Sequence, residues 1–199
     1  VLGPGSALYG PNSANGVMHV ITRSPLDQQG TNVNVGLGER SVRRFSARHA
    51  GKIGENLGYK LSLQSFSGTD WEYVDPEEIE LRDYDLSRNS TELRVDYRPN
   101  DDLTAIVSTG YNSADNIELT GLGAGLADGW VSGYYQARVM YKDLFFQAFQ
   151  NWTDAGDTFL LRSGGPIRDK SKLTVLQLQH FYDMGVRQRF TYGADVLLT

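Results

Sequence analysis

From Thr31 to Thr199 the chain repeats one pattern: short segments in which apolar and polar side chains alternate, separated by turn-forming residues. In 57–64, Leu57, Tyr59, Leu61 and Leu63 alternate with Gly58, Lys60, Ser62 and Gln64. In 91–98, Leu93, Val95 and Tyr97 alternate with Glu92, Arg94, Asp96 and Arg98. In 189–198, Phe190, Tyr192, Ala194, Val196 and Leu198 alternate with Arg189, Thr191, Gly193 and Asp195. Successive side chains of a strand point to opposite sides, so a period of two puts one set on each face of a sheet. Parity leaves the role of the apolar face open. It is the core of a soluble protein or the lipid-facing surface of a membrane barrel, whose charged set then faces a wet lumen.

The pattern predicts strands at 31–38, 42–52, 57–67, 89–98, 103–112, 130–141, 144–153, 172–182 and 187–198. The connectors Ile53–Asn56, Pro99–Asp102, Lys142–Asp143 and Asp183–Val186 are short. Those at 68–88, 113–129 and 154–171 are long, and only Glu39–Ser41 breaks the alternation. In an up-and-down sheet all the long connectors then share one end. Membrane barrels have this arrangement, with short periplasmic turns and long outer loops, whereas a soluble sandwich has no reason to sort its loops. Tyr59, Tyr97, Tyr141 and Tyr182 fall near the short-turn ends, and Tyr111, Trp130 and Trp152 near the long-loop ends. Two such bands fit the aromatic belts of a bilayer, although Tyr and Trp are also good strand residues.

Composition narrows the classes. There are 199 residues, enough for one domain, and no cysteine, so no disulfide framework and no thiolate metal site. A net charge of −5 argues against a nucleic-acid surface. Mean hydropathy is negative and no apolar run reaches the length of a membrane helix. That does not exclude a barrel, in which the two faces average out. The chain opens on Val-Leu-Gly rather than a signal peptide, so an exported protein would be a mature chain or a fragment.

The first 25 residues differ in kind. Gly3, Gly5, Gly10 and Gly16 with Pro4 and Pro11 specify tight turns, and an apolar strand is expected from Val17 to Thr22. The order Gly-Pro-Gly-Ser-Ala-Leu-Tyr-Gly, then Asn-Gly-Val, then Val-Ile-Thr-Arg-Ser-Pro resembles the end of the plug domain of TonB-dependent outer-membrane receptors. By that resemblance Gly3, Pro4, Ser6, Ala7, Tyr9, Gly10, Asn15, Gly16, Ile21 and Thr22 belong to the plug signature. One departure is Leu2, where the family often has an Arg able to pair with carboxylates of the barrel wall.

The resemblance implies an all-β, antiparallel, up-and-down transmembrane β-barrel preceded by the end of a plug. Residues 1–27 would close the plug. Residues 28–199 would form the N-terminal part of the barrel, about nine strands of 22. It implies energy-coupled import of a scarce solute: a siderophore-type metal chelate, cobalamin or an oligosaccharide. The partners implied are outer-membrane lipid, the imported solute, and TonB acting through a segment ahead of these residues. The setting implied is the outer membrane of a Gram-negative bacterium.

Other motifs carry less. The stretch 68–86 holds Asp70, Glu72, Asp75, Glu77, Glu78, Glu80, Asp83 and Asp85 against Arg82. Such carboxylates suit a hard cation, but EF-hand spacing is absent and charge runs are usually solvated loops. Trp71, Tyr73 and Asp75 are the candidate ligand contacts of this loop. The acidity mildly disfavours a strongly anionic ligand. Gly121-Leu122-Gly123-Ala124-Gly125 lacks the strand and helix of a phosphate cradle and reads as a flexible loop. Asn89-Ser90-Thr91 and Asn151-Trp152-Thr153 match the glycosylation acceptor pattern, which recurs by chance. His19, His49 and His180 are scattered without metal-ligand spacing, and there is no nucleophile elbow or P-loop. The expectation is a non-enzyme without cofactor, in which Lys60, Glu92, Arg94, Asp96, Arg138, Arg189 and Asp195 form a hydrated wall. The alternatives are a small outer-membrane barrel with an adhesin or structural role, and a soluble all-β binding module.

Overall fold

Strands rich in Val, Leu, Tyr and Thr are joined at one end by turns whose chemistry is local. In a computed structural model, residues 21–79, 82–121, 123–185 and 187–199 are described. They form β1 (Gly30–Leu37), β2 (Arg43–Ile53), β3 (Leu57–Thr69), β4 (Asp85–Asn100), β5 (Leu103–Thr120), β6 (Gly123–Tyr141), β7 (Leu144–Asp154), β8 (Phe159–Leu160), β9 (Lys170–Met184) and β10 (Gln188–Leu198). At the β4–β5 turn the Asn100 side-chain oxygen accepts from the N–H groups of Asp102 (3.1 Å) and Leu103 (3.0 Å). This is the asparagine turn that lets two residues reverse a hairpin. At the β6–β7 turn Lys142 takes a left-handed φ of 51°.

All pairings between these strands are antiparallel, in the order β1-β2-β3-β4-β5-β6-β7-β9-β10, with β8 added to the free margin of β6. Among the described residues β1 and β10 do not pair with each other, so the ten-stranded sheet is open. The nine expected strands are present, one expected loop is not, and another carries a short strand. Instead of a flexible connector at 113–129, β5 and β6 continue as a paired ribbon to Thr120↔Gly123, with a register shift between Ala114 and Asn116. The connector at 154–171 contains β8. Ile21 and Thr22 are irregular rather than strand, and the rest of that expected strand lies outside the described residues.

Register places the two side-chain sets. One row runs Leu61↔Leu93↔Thr109↔Tyr135 across four strands and another Tyr59↔Val95↔Val107↔Ala137↔Ala148↔Leu176↔Val196 across seven, on a single face. The opposite face carries Lys60↔Arg94↔Ser108↔Gln136. Burial is the reverse of a water-soluble sheet protein. On the apolar face Val107 is 58% exposed, Tyr135 56% and Leu178 47%, whereas on the polar face Lys60 is 5% and Asp96 1% exposed. A cavity of about 380 Å³ is lined from that face by β4, β5, β6 and β7, through Glu92, Ile106, Tyr134 and Asn151. The sheet therefore curves around its polar side.

Tyr59, Tyr97, Tyr141, Tyr182, Tyr111 and Trp152 all share registers with the apolar face. Trp130 does not. It pairs with Ala114, in phase with Ser132 and Tyr134, and lies on the polar face.

Candidate functional site

The polar face divides into an inner half, toward the short turns, and an outer half, toward the long connectors. Across the inner half lies the segment 21–29. Ser24 begins a turn in which its carbonyl accepts from the N–H groups of Asp27 (3.2 Å) and Gln28 (3.0 Å). That turn drives Pro25 and Leu26 onto β3, where both are buried. Gly58 makes the approach possible: a Cβ there would lie 2.9 Å from the Leu26 nitrogen and 3.0 Å from its Cγ.

Polar bonds fix the same segment laterally. The Ser24 hydroxyl donates to Asp96 Oδ2 at 2.6 Å, and the Leu26 N–H donates to Ser24 Oγ at 3.2 Å. Asp96 also accepts both arms of Arg94, at 2.6 and 2.8 Å. The remaining Arg94 nitrogen donates to Thr22 Oγ1 at 2.7 Å. Such bidentate, charge-assisted pairs are the geometrically specific ones. Beside them Lys60 pairs with Glu92 at 2.7 Å, and Arg138 donates to Gln147 (2.9 Å), which donates to Gln177 (2.8 Å). Arg189 pairs with Asp183 at 2.6 Å. Of the wall charges expected from sequence, only Asp195 has no such partner among the described residues.

Of the plug-signature residues, Gly3, Pro4, Ser6, Ala7, Tyr9, Gly10, Asn15 and Gly16 lie outside the described residues. Ile21 is exposed, and Thr22 meets Arg94. Ser24, Pro25, Leu26 and Gly58 carry the docking and were not among the expected site residues. Arg-Ser-Pro was visible as a turn, but its partner Asp96 is 72 positions away.

The β3–β4 connector holds Trp71, Tyr73 and Asp75, and each meets an arginine rather than converging on one pocket. The Arg40 guanidinium sits 4.7 Å from the Trp71 ring, and Arg82 sits 4.9 Å from the Tyr73 ring. Arg82 is also bound by both oxygens of Glu78 at 2.6 Å. Asp75 and Glu77 pair with Arg162 of the β7–β9 connector at 2.9 and 3.0 Å, and the Ile79 N–H donates to the Leu161 carbonyl at 3.1 Å. The Glu77 backbone N–H, and then Arg162, hold the Asp75 carboxyl below the usual carboxylate range. Part of the loop's acidity is thus neutralised internally by Arg162, which the local composition of the loop does not reveal. Among the described residues no group of three or more His, Cys, Asp or Glu is arranged to hold a metal ion.

Neither the protein-family models nor the curated proteins include a match to this chain.

Proposed function

We propose that this chain is part of a TonB-dependent outer-membrane receptor. Residues 1–27 close its plug and 28–199 form a portion of its transmembrane β-barrel, and the protein imports a scarce solute by energy-coupled plug rearrangement. The observation that carries the reading is the reversed burial: an apolar face open to its surroundings, opposite a face that encloses ion pairs. Exposed in water, an apolar surface of this extent would drive aggregation, whereas against lipid it is satisfied. Its limits also fit. On β5 the apolar-face positions run from Leu103 to Tyr111 and then turn polar at Ser113. On β9 they run from Tyr182 through His180, Leu178 and Leu176 to Thr174 and end at Lys172. Nine or so residues match the 9–11 that a tilted strand uses to cross the hydrocarbon. The longer β5 and β6, of 18 and 19 residues, then project beyond it on the side of the long connectors.

Backbone groups in lipid need partners, so β1 and β10 would each be joined by further strands. The segment 21–29 enters on the polar face, where a plug would join its barrel. Bond-making chemistry has no place in this mechanism. Outer loops and plug apices capture the ligand, and TonB then displaces the plug.

The chain contains no cysteine, which makes single-cysteine spin labelling direct. In the full-length receptor reconstituted in lipid, labels at Ala105, Val107 and Thr109 are expected to collide with dissolved oxygen. Labels at Thr104, Ile106 and Ser108 should collide with a water-soluble nickel chelate. The same aqueous signature at all six sites would refute a lipid-facing surface and favour a soluble all-β module. Transport is tested separately. Removing TonB should abolish solute accumulation and leave surface binding, and cells indifferent to TonB would favour an adhesin or structural barrel.

A further inference from the structure

The inner and outer halves of the polar face differ in how far their side chains are satisfied. Most inner charges are paired with one another, with Gln147 or with the segment 21–29, Asp195 being an exception. In the outer half one row runs Ser46↔Gln64↔Ser90↔Asn112↔Ser132, and the next runs Arg44↔Phe66↔Arg88↔Ala114↔Trp130. Gln64, Ser90, Asn112, Arg44 and Arg88 have no side-chain hydrogen bond or ion pair among the described residues. All five line one cavity of about 800 Å³, with Phe66 among them. That size is in the range of small-molecule sites.

We infer that this cavity binds an acidic saccharide, a short oligomer bearing sugar carboxylates. The inference rests on the polar face being the lumen of a receptor. Arg44 and Arg88 stand on either side of Phe66, two strand spacings or about 10 Å apart. Their side chains either converge on one carboxylate above the ring or hold two in succession. Guanidinium groups suit this task because their planar donors match carboxylate oxygens in pairs. The amide and hydroxyl row next to them supplies both donors and acceptors, which ring hydroxyls require, and Phe66 offers an apolar floor for a sugar face. Two carboxylates also line the cavity, Asp70 and Glu118, the latter held by Asn116 at 2.9 Å. They accept from sugar hydroxyls, and they disfavour a bare polyanion that brings no donors. The acidic β3–β4 connector opposes an anion less than its composition suggests, because Asp75, Glu77 and Glu78 are already paired with Arg162 and Arg82.

The test is titration calorimetry on the full-length receptor in detergent micelles, with trigalacturonate, maltotriose and citrate as probes. Trigalacturonate should bind most tightly, and Arg44→Gln and Arg88→Gln should each weaken it about tenfold. Its affinity should fall with added salt. Asn112→Leu should weaken trigalacturonate and maltotriose alike. Maltotriose binding as tightly as trigalacturonate, or an Arg44→Gln/Arg88→Gln receptor binding like the parent, would overturn the acidic requirement. Citrate matching trigalacturonate would overturn the saccharide. No heat with any probe would also overturn the inference, provided the sample keeps the gel mobility shift on heating that marks a folded barrel. That last outcome leaves the receptor reading standing, since spin-label alternation and TonB dependence are measured without these probes.

Discussion

Gly58→Ala tests whether the segment 21–29 is held on the sheet as its contacts indicate. An ideal Cβ at position 58 lies 2.9 Å from the Leu26 nitrogen, 3.0 Å from Leu26 Cγ and 3.1 Å from the Pro25 carbonyl carbon. Two of those atoms are backbone, so no rotamer change relieves the clash. Position 58 is itself pinned by its neighbours Lys52 and Asp96, leaving the segment to move outward. Overpacking of this kind costs about 1–3 kcal/mol. If the loss falls on docking alone, the undocked population rises about 5- to 150-fold. Trypsin reads that population at the exposed Arg23, immediately before Ser24, and cleavage tracks it when docking exchanges quickly. Ser24→Ala removes the bond to Asp96 without adding an atom and should accelerate the same cut. It is expected to cost about 1.5–3 kcal/mol, as for a hydrogen bond to a charged group. If Gly58→Ala were cut at the parental rate with its thermal unfolding unchanged, the docking of Leu26 on Gly58 would be refuted.

Three further outcomes are expected. Glu92→Gln leaves the Lys60 ammonium without its counterion and should lower stability by about 2 kcal/mol, less than for a fully enclosed pair because Glu92 is partly exposed. Lys60→Met with Glu92→Leu should recover most of it, and urea midpoints decide between them. The Asp75–Arg162 pair that ties the β3–β4 connector to the β7–β9 connector should be insensitive to pH from neutrality down to the ordinary Asp value of 3.8. It should open only as pH falls through the still lower value of folded Asp75, since a depressed carboxyl loses its contribution on protonation. Hydrogen exchange at Ile79 follows this, and Asp75→Asn should weaken that tie at neutral pH. Gly133→Ala would bring a Cβ 2.6 Å from the Trp152 ring and 2.8 Å from the Gly110 oxygen, so Trp152 must turn away from Tyr111. A shift in Trp152 emission and a loss of about 1–3 kcal/mol are expected.

The strands were legible where alternation coincides with turn chemistry, as at Asn100–Leu103 and Lys142–Asp143. The β5–β6 ribbon beyond Ala114 was not. Residues 113–120 and 123–129 are rich in Ser, Asp, Gly and Ala and lack strong apolar alternation. They are held by cross-strand register and by the β7–β9 connector, which buries Ala124 and Ala127 and whose Leu161 N–H donates to the Ala124 carbonyl. Trp130 shows that proximity to a strand end is a weaker guide than parity, which groups it with Ser132 and Tyr134 on the polar face. The Arg162–Asp75 pair spans 87 positions and the Ser24–Asp96 bond 72, so only the folded sheet brings them together. The wall charges were identifiable as a set, but which of them are spent on one another was not. That difference separates the inner half of the face from the outer.

If the polar face is a hydrated lumen, the composition of the inner half also bears on how the segment 21–29 can leave. A buried ion pair contributes little net stability over a well-packed apolar contact, because desolvation offsets its attraction. Arg94 and Asp96, however, satisfy each other through two bonds that do not involve the segment. When Ser24 and Thr22 depart, water replaces one bond to each, and no charge is left buried alone. The apolar cost of undocking is confined to Pro25 and Leu26. Burial of a Leu side chain is worth about 2–3 kcal/mol, so the interface combines specific register with modest strength. Asp96→Ala would break that separation. It leaves the Arg94 guanidinium without its carboxylate whether or not the segment is docked, so sheet stability and docking should fall together. Ser24→Ala should affect docking alone. Equal effects of the two substitutions on thermal unfolding would show that the pair and the segment form a single unit rather than a preformed wall and a removable strap.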